Sequence, residues 1–346
     1  DMVRLWGDFP VITTVAGDIT SENIDEVYPQ YFPEQNTELE AYQQIERDLL
    51  DAVLYAPDNT PGNKTLFSKS VARTLLAKIY AEKPLRDYTK VIQYCDEVKA
   101  DGFDLVDDFS DLFGMNAAGT DAKMRNTKES ILEAQFTSGA GNWCTWMFGR
   151  DLVNWNNNFT WAKWVTPSRD LISAFKQEGD EVRFKESIVY YDCNWSNYYP
   201  SDNYPFMYKC RSANSSIIKF RYADVLLLKA EALIMQDTPD LEGAADIIDK
   251  VRDRAKLGAL PTSVRSNKNV LLNALLKERR LELAFEGQRW FDLVRLDKVE
   301  EVMNAVYAKD SGRKAQIYTF DKNSYRLPIP QSVIDANDKI HQNPGY

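Results

Sequence analysis

The chain has 346 residues, of which 42 are basic and 52 acidic, so its formal net charge is −10. That balance excludes broad contact with nucleic-acid phosphates or anionic lipid, both of which call for clustered Lys and Arg. The single histidine, His341, lies close to the C-terminus, which excludes catalysis and metal binding built on several histidines. With 44% hydrophobic residues, a chain this long buries roughly three quarters of its unfolded surface and needs no staples.

Residues 1–37, interrupted by Pro10, Pro29 and Pro33, read as an extended loop region. From Glu38 the period becomes helical, with Leu39, Tyr42, Ile45, Leu49, Leu50 and Val53 on one face, and the helix ends before Pro57. After a Pro-Asp-Asn-Thr-Pro-Gly turn at 57–62, the spacing predicts helices over 68–82, stopped by Pro84, and 87–99, ended by Asp101-Gly102. Short strand signals occur at Ile131 to Phe136 and Ile188 to Tyr191. Residues 137–215 form a loop-rich, aromatic-rich insertion holding one short helix near 168–178. Helices resume at 221–236, 241–256 and 268–286, with a shorter one near 289–297. The tail from Gln316, with Pro328, Pro330 and Pro344, reads as an irregular wrap over 316–346.

An internal repeat sets the architecture. Residues 72–81 (ARTLLAKIYA) and 223–232 (ADVLLLKAEA) share Ala-x3-Leu-x-Lys-x2-Ala, and the helices that follow also align: Tyr88, Val91, Ile92, Cys95, Asp96 and Val98 match Leu241, Ala244, Ala245, Ile248, Asp249 and Val251. Helical hairpins with small residues at fixed points are the mark of tetratricopeptide-type units. The fold expected is all-α, with tetratricopeptide-type hairpins at 38–99 and 221–297 as scaffold and the aromatic insertion between them.

Cys95, Cys144, Cys193 and Cys210 form no CxxC pair or zinc spacing and read as buried or free thiols, which leaves the redox compartment open. No stretch approaches the ~20 apolar residues of a membrane helix. The first residues, Asp-Met-Val-Arg, carry no basic start followed by an apolar run, and residues upstream are expected to be missing.

Several segments together resemble the SusD/RagB family: RLWGDFPVITT at 4–14, KSVARTLLAKIYAEK at 69–83, TPSRDLISAFKQEGDEVRF at 166–184, FRYADVLLLKAEA at 220–232, KERRLELAFEGQRWFDLVRL at 277–296, and the closing YRLPIPQSVIDANDKIHQNPGY at 325–346. The match spans the whole chain as a single SusD-like domain. It departs at Asp224, where the family has Glu, and at IDANDKIH, which lacks the family's Asn-Pro. The family's N-terminal part, with its lipobox cysteine, signal peptide and first helices, is absent. The resemblance implies a non-enzymatic, lipid-anchored protein exposed at the bacterial outer membrane. Such a protein captures an oligosaccharide or polysaccharide, in some members a peptide, and passes it to a SusC-like TonB-dependent transporter. No cofactor is implied.

Two groups of residues attract a functional reading. Glu278, Glu282 and Glu286 recur four residues apart near Arg279, Arg280, Arg289 and Asp292. They suit either a buried ionic ladder or an acid–base pair for glycoside hydrolysis, and the ladder is the expected outcome. The insertion holds six of the eight tryptophans, between Trp143 and Trp195, with Tyr190, Tyr191, Tyr198, Tyr199, Tyr204 and Tyr208 alongside. Flat rings stack on the C–H face of a sugar, and the amides of interleaved asparagines offer donor and acceptor together to neighbouring hydroxyls. The expected glycan-binding residues are Trp155, Asn156, Asn157, Asn158, Trp161, Trp195, Asn197, Tyr198 and Tyr199. Some of these aromatics, Trp143, Trp146 and Trp164 foremost, are candidates for a satellite core instead. No catalytic and no metal-binding residues are expected: Asp107-Asp108-Phe109-Ser110-Asp111 and Asp202-Asn203 lack EF-hand spacing and read as solvated acids. No GxSxG, P-loop, HExxH or dinucleotide fingerprint is present.

Overall fold

A computed structural model describes residues 1–136, 165–193, 199–309 and 319–346. The principal elements, in chain order, are helices α1 (Glu38–Tyr55), α2 (Lys69–Ala81) and α3 (Tyr88–Ala100), strand β1 (Ser130–Ala134), helices α4 (Arg169–Glu178) and α5 (Glu181–Ser187), strands β2 (Ile188–Tyr191), β3 (Tyr204–Met207) and β4 (Ile217–Arg221), and helices α6 (Tyr222–Met235), α7 (Leu241–Arg254), α8 (Lys268–Glu282), α9 (Arg289–Arg295) and α10 (Val299–Lys309). Helix starts follow their caps. Thr37 and Glu40 close a capping box on α1, and the carboxylates of Asp87 and Asp240 accept from the first-turn amides of α3 and α7.

The repeat builds the scaffold. Helix α2 pairs with α3 and α6 with α7, while α6 also packs on α3 and α8. At the crossings Ala72, Ala77 and Ala81 of the first unit, and Ala223, Ala232, Ala244 and Ala245 of the second, are buried. Leu76 and Leu227, which occupy the same repeat position, have no exposed surface. Small residues let the backbones approach, and leucines fill the space that remains. The repeat lysines serve a different end. Lys78 reaches across to Asp224 and Lys229 to Asp96, each at 2.5 Å, so each hairpin is tied to the other by the same position.

The sheet content is small. Strand β1 pairs antiparallel with β4, and β2 with β3, aligning Ile188 with Met207 and Tyr191 with Tyr204. The sequence marks β1 and β2 but not their partners. Strand β3 reads Tyr-Pro-Phe-Met, all four buried, and shows neither alternation nor a breaker-free run. Helix α8 ends at Glu282, four residues short of the expected boundary, because Phe285 (φ 65°) and Gly287 (φ 74°) turn the chain left-handed. Helices α5 and α10 are additions to the sequence reading. Residues 1–37 also carry short helices, Met2–Trp6 and Ile24–Val27, within their loops.

The tail closes on the N-terminal segment. The Asn343 amide donates to the carbonyls of Trp6 (2.9 Å) and Leu327 (2.7 Å), the Leu327 amide donates to the Leu5 carbonyl (2.7 Å), and the Trp6 indole donates to the Pro328 carbonyl (3.3 Å).

Candidate functional site

The glutamates of α8 lie in a buried ionic cluster. Glu282 accepts from Arg183 (3.0 Å), Arg221 (2.5 Å) and Arg254. Glu278 accepts from Arg183 (2.5 Å) and Arg252 (3.3 Å), Glu129 from Arg221 (2.7 Å) and Arg254, and Glu286 from Arg221 (2.7 Å) and Lys209 (2.6 Å). The left-handed turn at Phe285 folds Glu286 back toward Arg221, a conformation an aromatic residue adopts only when its surroundings enforce it. A second group adjoins: Arg279 bridges Asp224 and Asp292, each at 2.8 Å, and Arg295 bridges Glu231 (2.7 Å) and Asp292 (2.8 Å).

Burial raises Glu278, whereas at Glu282 the burial penalty is outweighed by Arg254, Arg221 and Arg183, which hold its carboxyl well below the usual range. Burial likewise pulls the Lys209 ammonium down to about 8. Two carboxyls with opposed shifts are the ordinary mark of an acid–base pair. Here both are sealed from solvent and saturated by guanidiniums, with Glu278 1% and Glu282 0% exposed, so no substrate reaches them. The structure therefore supports the ionic ladder, in which Glu278 and Glu282 tie α8 to α5 through Arg183, to β4 through Arg221 and to α7 through Arg254.

Of the nine expected glycan-binding residues, Tyr199 is described; Trp155, Asn156, Asn157, Asn158, Trp161, Trp195, Asn197 and Tyr198 lie outside the described residues, as do Trp143, Trp146 and Trp164. Tyr199 is half-buried in an aromatic cluster with Tyr191, Tyr204, Phe206 and Tyr208 over the β2–β3 hairpin. Its ring meets Tyr204 edge-on at 5.7 Å, its hydroxyl donates to the Pro167 carbonyl (2.7 Å), and the Arg169 guanidinium lies 5.1 Å from its ring centre. Tyr190, Tyr191, Tyr204 and Tyr208 thus belong at least in part to the satellite core weighed above.

Arg169 leads from this cluster into a cleft of about 690 Å³ walled by α4, α8 and α10. Six bases line it, Arg169, Lys277, Arg280, Arg289, Lys298 and Lys309, against the two acids Asp170 and Glu301. Arg280 pairs with Asp170 (2.6 Å) and Lys298 with Glu301 (2.5 Å), and Lys277 pairs with Glu178 behind the wall. Arg289 is half-buried and donates to the Leu276 carbonyl (2.9 Å), with no carboxylate at ion-pair distance among the described residues. Burial, reinforced by the positive charge of Arg280, lowers its pKa to about 10. An adjoining recess of about 370 Å³ shares Arg280 and Arg289 and presents Phe285, Trp290, Met303 and Tyr307. Five of the six bases fall between 277 and 309 and the sixth is Arg169; they share a cleft only where α4 meets α8 and α10, and no local spacing records that meeting, which is why sequence reasoning passed over it.

Elsewhere the acids near residue 108 are neutralised by lysines. Lys123 lies 2.7 Å from Asp111 and 3.3 Å from Asp108, and Lys128 lies 3.0 Å from Asp107. Among the described residues no cluster of His, Cys, Asp and Glu could hold a metal ion, and no helix is long and apolar enough to cross a membrane. Cys95, Cys193 and Cys210 are buried, and Cys144 lies outside the described residues.

Comparison with known proteins converges on one family. Residues 202–346 match the model of the SusD family. SusD-like protein P2 of Formosa agariphila is 28% identical over 394 aligned positions, covering 100% of this chain and 71% of that protein, and SusD-like protein P38 of the same organism is 44% identical over 99 residues, 27% of this chain and 19% of that one. Among solved structures, a SusD-like protein from Bacteroides fragilis superposes with a TM-score of 0.74 at 22% identity, covering 100% of this chain and 76% of its own. A laminarin-binding SusD-like protein superposes with a TM-score of 0.71 at 24% identity, covering 99% and 75%. The helical architecture is thus a fold these relatives share, and along its whole length the chain is similar to SusD-like proteins.

Proposed function

We propose that this chain is a glycan-binding protein of the bacterial cell surface, lipid-anchored at the outer membrane, which captures an oligo- or polysaccharide and hands it to a SusC-like TonB-dependent transporter without turning it over. In this reading the chain works as one domain: 38–99 and 221–297 are scaffold, 316–346 is a closing wrap, and the insertion 137–215 carries the ligand site through Trp155, Asn156, Asn157, Asn158, Trp161, Trp195, Asn197, Tyr198 and Tyr199. The observation that carries it is the likeness to a laminarin-binding protein of the same fold, joined to an insertion dense in tryptophan and asparagine. The absence of turnover is supported by the glutamates of α8, whose carboxylates are committed to buried arginines.

Affinity electrophoresis through gels holding laminarin and other soluble polysaccharides tests the reading, with the wild type beside Trp155→Ala/Trp161→Ala. Each lost stacking ring removes about 0.5–1.5 kcal/mol, so the double variant should bind roughly 5- to 150-fold more weakly. Equal retardation of wild type and variant would remove these two residues from the site. No retardation by any glycan, beside binding to a peptide panel, would replace the sugar with a peptide.

A further inference from the structure

The basic cleft has no part in the reading above, and its composition runs against that of the whole molecule. In a chain of net charge −10, six bases and two acids converge on a single cleft of about 690 Å³. Three of the bases find carboxylates at the wall, yet Arg289 sits half-buried at the junction of the cleft and the aromatic recess with a backbone carbonyl as its hydrogen-bond acceptor. A guanidinium kept partly from water beside other cations is an unfavourable arrangement when the cleft is empty. An oxyanion would relieve it through paired N–H donors, the geometry in which guanidinium excels. The recess beside it is walled by Trp290 and Tyr307, whose rings also meet Phe320 at 6.0 and 5.3 Å, so aromatic surface adjoins the cation.

We propose that this cleft binds the anionic group of an acidic saccharide, a uronate carboxylate or a sulfate ester, with Arg289 and Arg280 on the oxyanion and the Trp290–Tyr307 recess against the sugar ring. The inference rests on the glycan reading and adds a second locus to it, on the scaffold, which selects for charge. Capture by stacking on the insertion and selection by charge at the cleft are then separable by mutation.

The test is calorimetric titration with oligogalacturonate, a sulfated carrageenan oligosaccharide, a laminarin oligosaccharide of similar length, and inorganic sulfate alone, each at low and high salt. An acidic oligosaccharide should bind at least about tenfold more tightly than the neutral one, lose that margin in Arg289→Gln, and weaken as salt rises. Lys277→Gln/Lys309→Gln alters two exposed residues whose loss leaves the fold intact, and it should weaken acidic binding roughly threefold while flattening the salt dependence. Whether oligogalacturonate or carrageenan binds more tightly assigns the anion as carboxylate or sulfate. Equal affinity for acidic and neutral glycans, both lost in Trp155→Ala/Trp161→Ala and untouched by Arg289→Gln, would overturn the cleft and leave the glycan reading standing. Binding of inorganic sulfate as tight as that of the sulfated oligosaccharide would overturn the saccharide, and failure of every glycan would overturn both readings.

Discussion

Replacing Glu282 by Gln removes the one charge that three buried guanidiniums share. The loss is unequal among them. Arg183 retains Asp180 and Glu278, and Arg221 retains Glu129 and Glu286, but Arg254 is left with Glu129 alone, and its Nε already lacks an acceptor. Removing one partner of a buried ion pair costs about 3–5 kcal/mol, mostly as the penalty of a buried charge left uncompensated. At roughly 2 cal/mol/K per residue the unfolding entropy of this chain is about 0.7 kcal/mol/K, so the melting temperature should fall by about 4–7 °C. Scanning calorimetry reads the shift directly. Glu301→Gln, which removes an exposed partner of Lys298, is the control and should change stability by less than about 0.5 kcal/mol. In Glu129→Gln/Glu282→Gln, Arg254 loses both carboxylates, and the effect should exceed the sum of the single variants. A Glu282→Gln protein melting within a degree of the wild type would refute the claim that this cluster holds the helices together.

Two further outcomes follow from the same interior. Burial raises the carboxyls of Glu282, Glu286 and Asp292, but neighbouring guanidiniums, with Lys209 beside Glu286, more than reverse it, so the folded values lie below the ordinary 4.5 for Glu and 3.8 for Asp. The unfolded chain then binds the extra protons as pH falls, and the stability these groups supply, complete above about pH 5, is lost progressively below it; Glu278, Asp180 and Glu82, which burial raises, oppose this in part. Urea midpoints between pH 7 and 3 should drop steeply for the wild type and less steeply for Glu282→Gln, and parallel curves would contradict the assignment. In a Cys144→Ser variant, a thiol reagent should label none of Cys95, Cys193 and Cys210 before unfolding and all three after it, because each is buried and burial raises the Cys95 thiol far above its ordinary value. Rapid labelling of the folded variant would show that one of them is accessible.

The scaffold is legible in the sequence because its two hairpins repeat the same alanines and leucines, a pattern set by helix–helix distance and therefore periodic. The ionic cluster is legible by half. Glu278 and Glu282 announce themselves one turn apart on α8, but Arg183, Arg221 and Arg254 reach them from three other elements, and no local spacing records such a meeting. Strand β3 escapes for a related reason, since burial on both faces erases the alternation that marks a strand. In the insertion, composition suggests a kind of chemistry, and Tyr199 shows why it does not identify the role of each ring: a tyrosine between Tyr198 and Pro200 in a polar stretch can also hydrogen-bond inward, as its hydroxyl does to Pro167. The basic cleft is invisible from sequence because charge adds up over space and its contributors span positions 169 to 309.

The ionic cluster also bears on how the insertion joins the scaffold. Its cations lie at the borders of the insertion's segments: Arg183 just before the β2–β3 hairpin, Lys209 just after it, and Arg221 where β4 runs into α6. These are mooring points, and each is fastened to α8 or the turn that follows it. Between Arg183 and Lys209 the strands keep a small core of their own, with Ile188, Tyr204 and Phe206 buried, so the moorings fix where the hairpin leaves and rejoins the scaffold while its own packing fixes its shape.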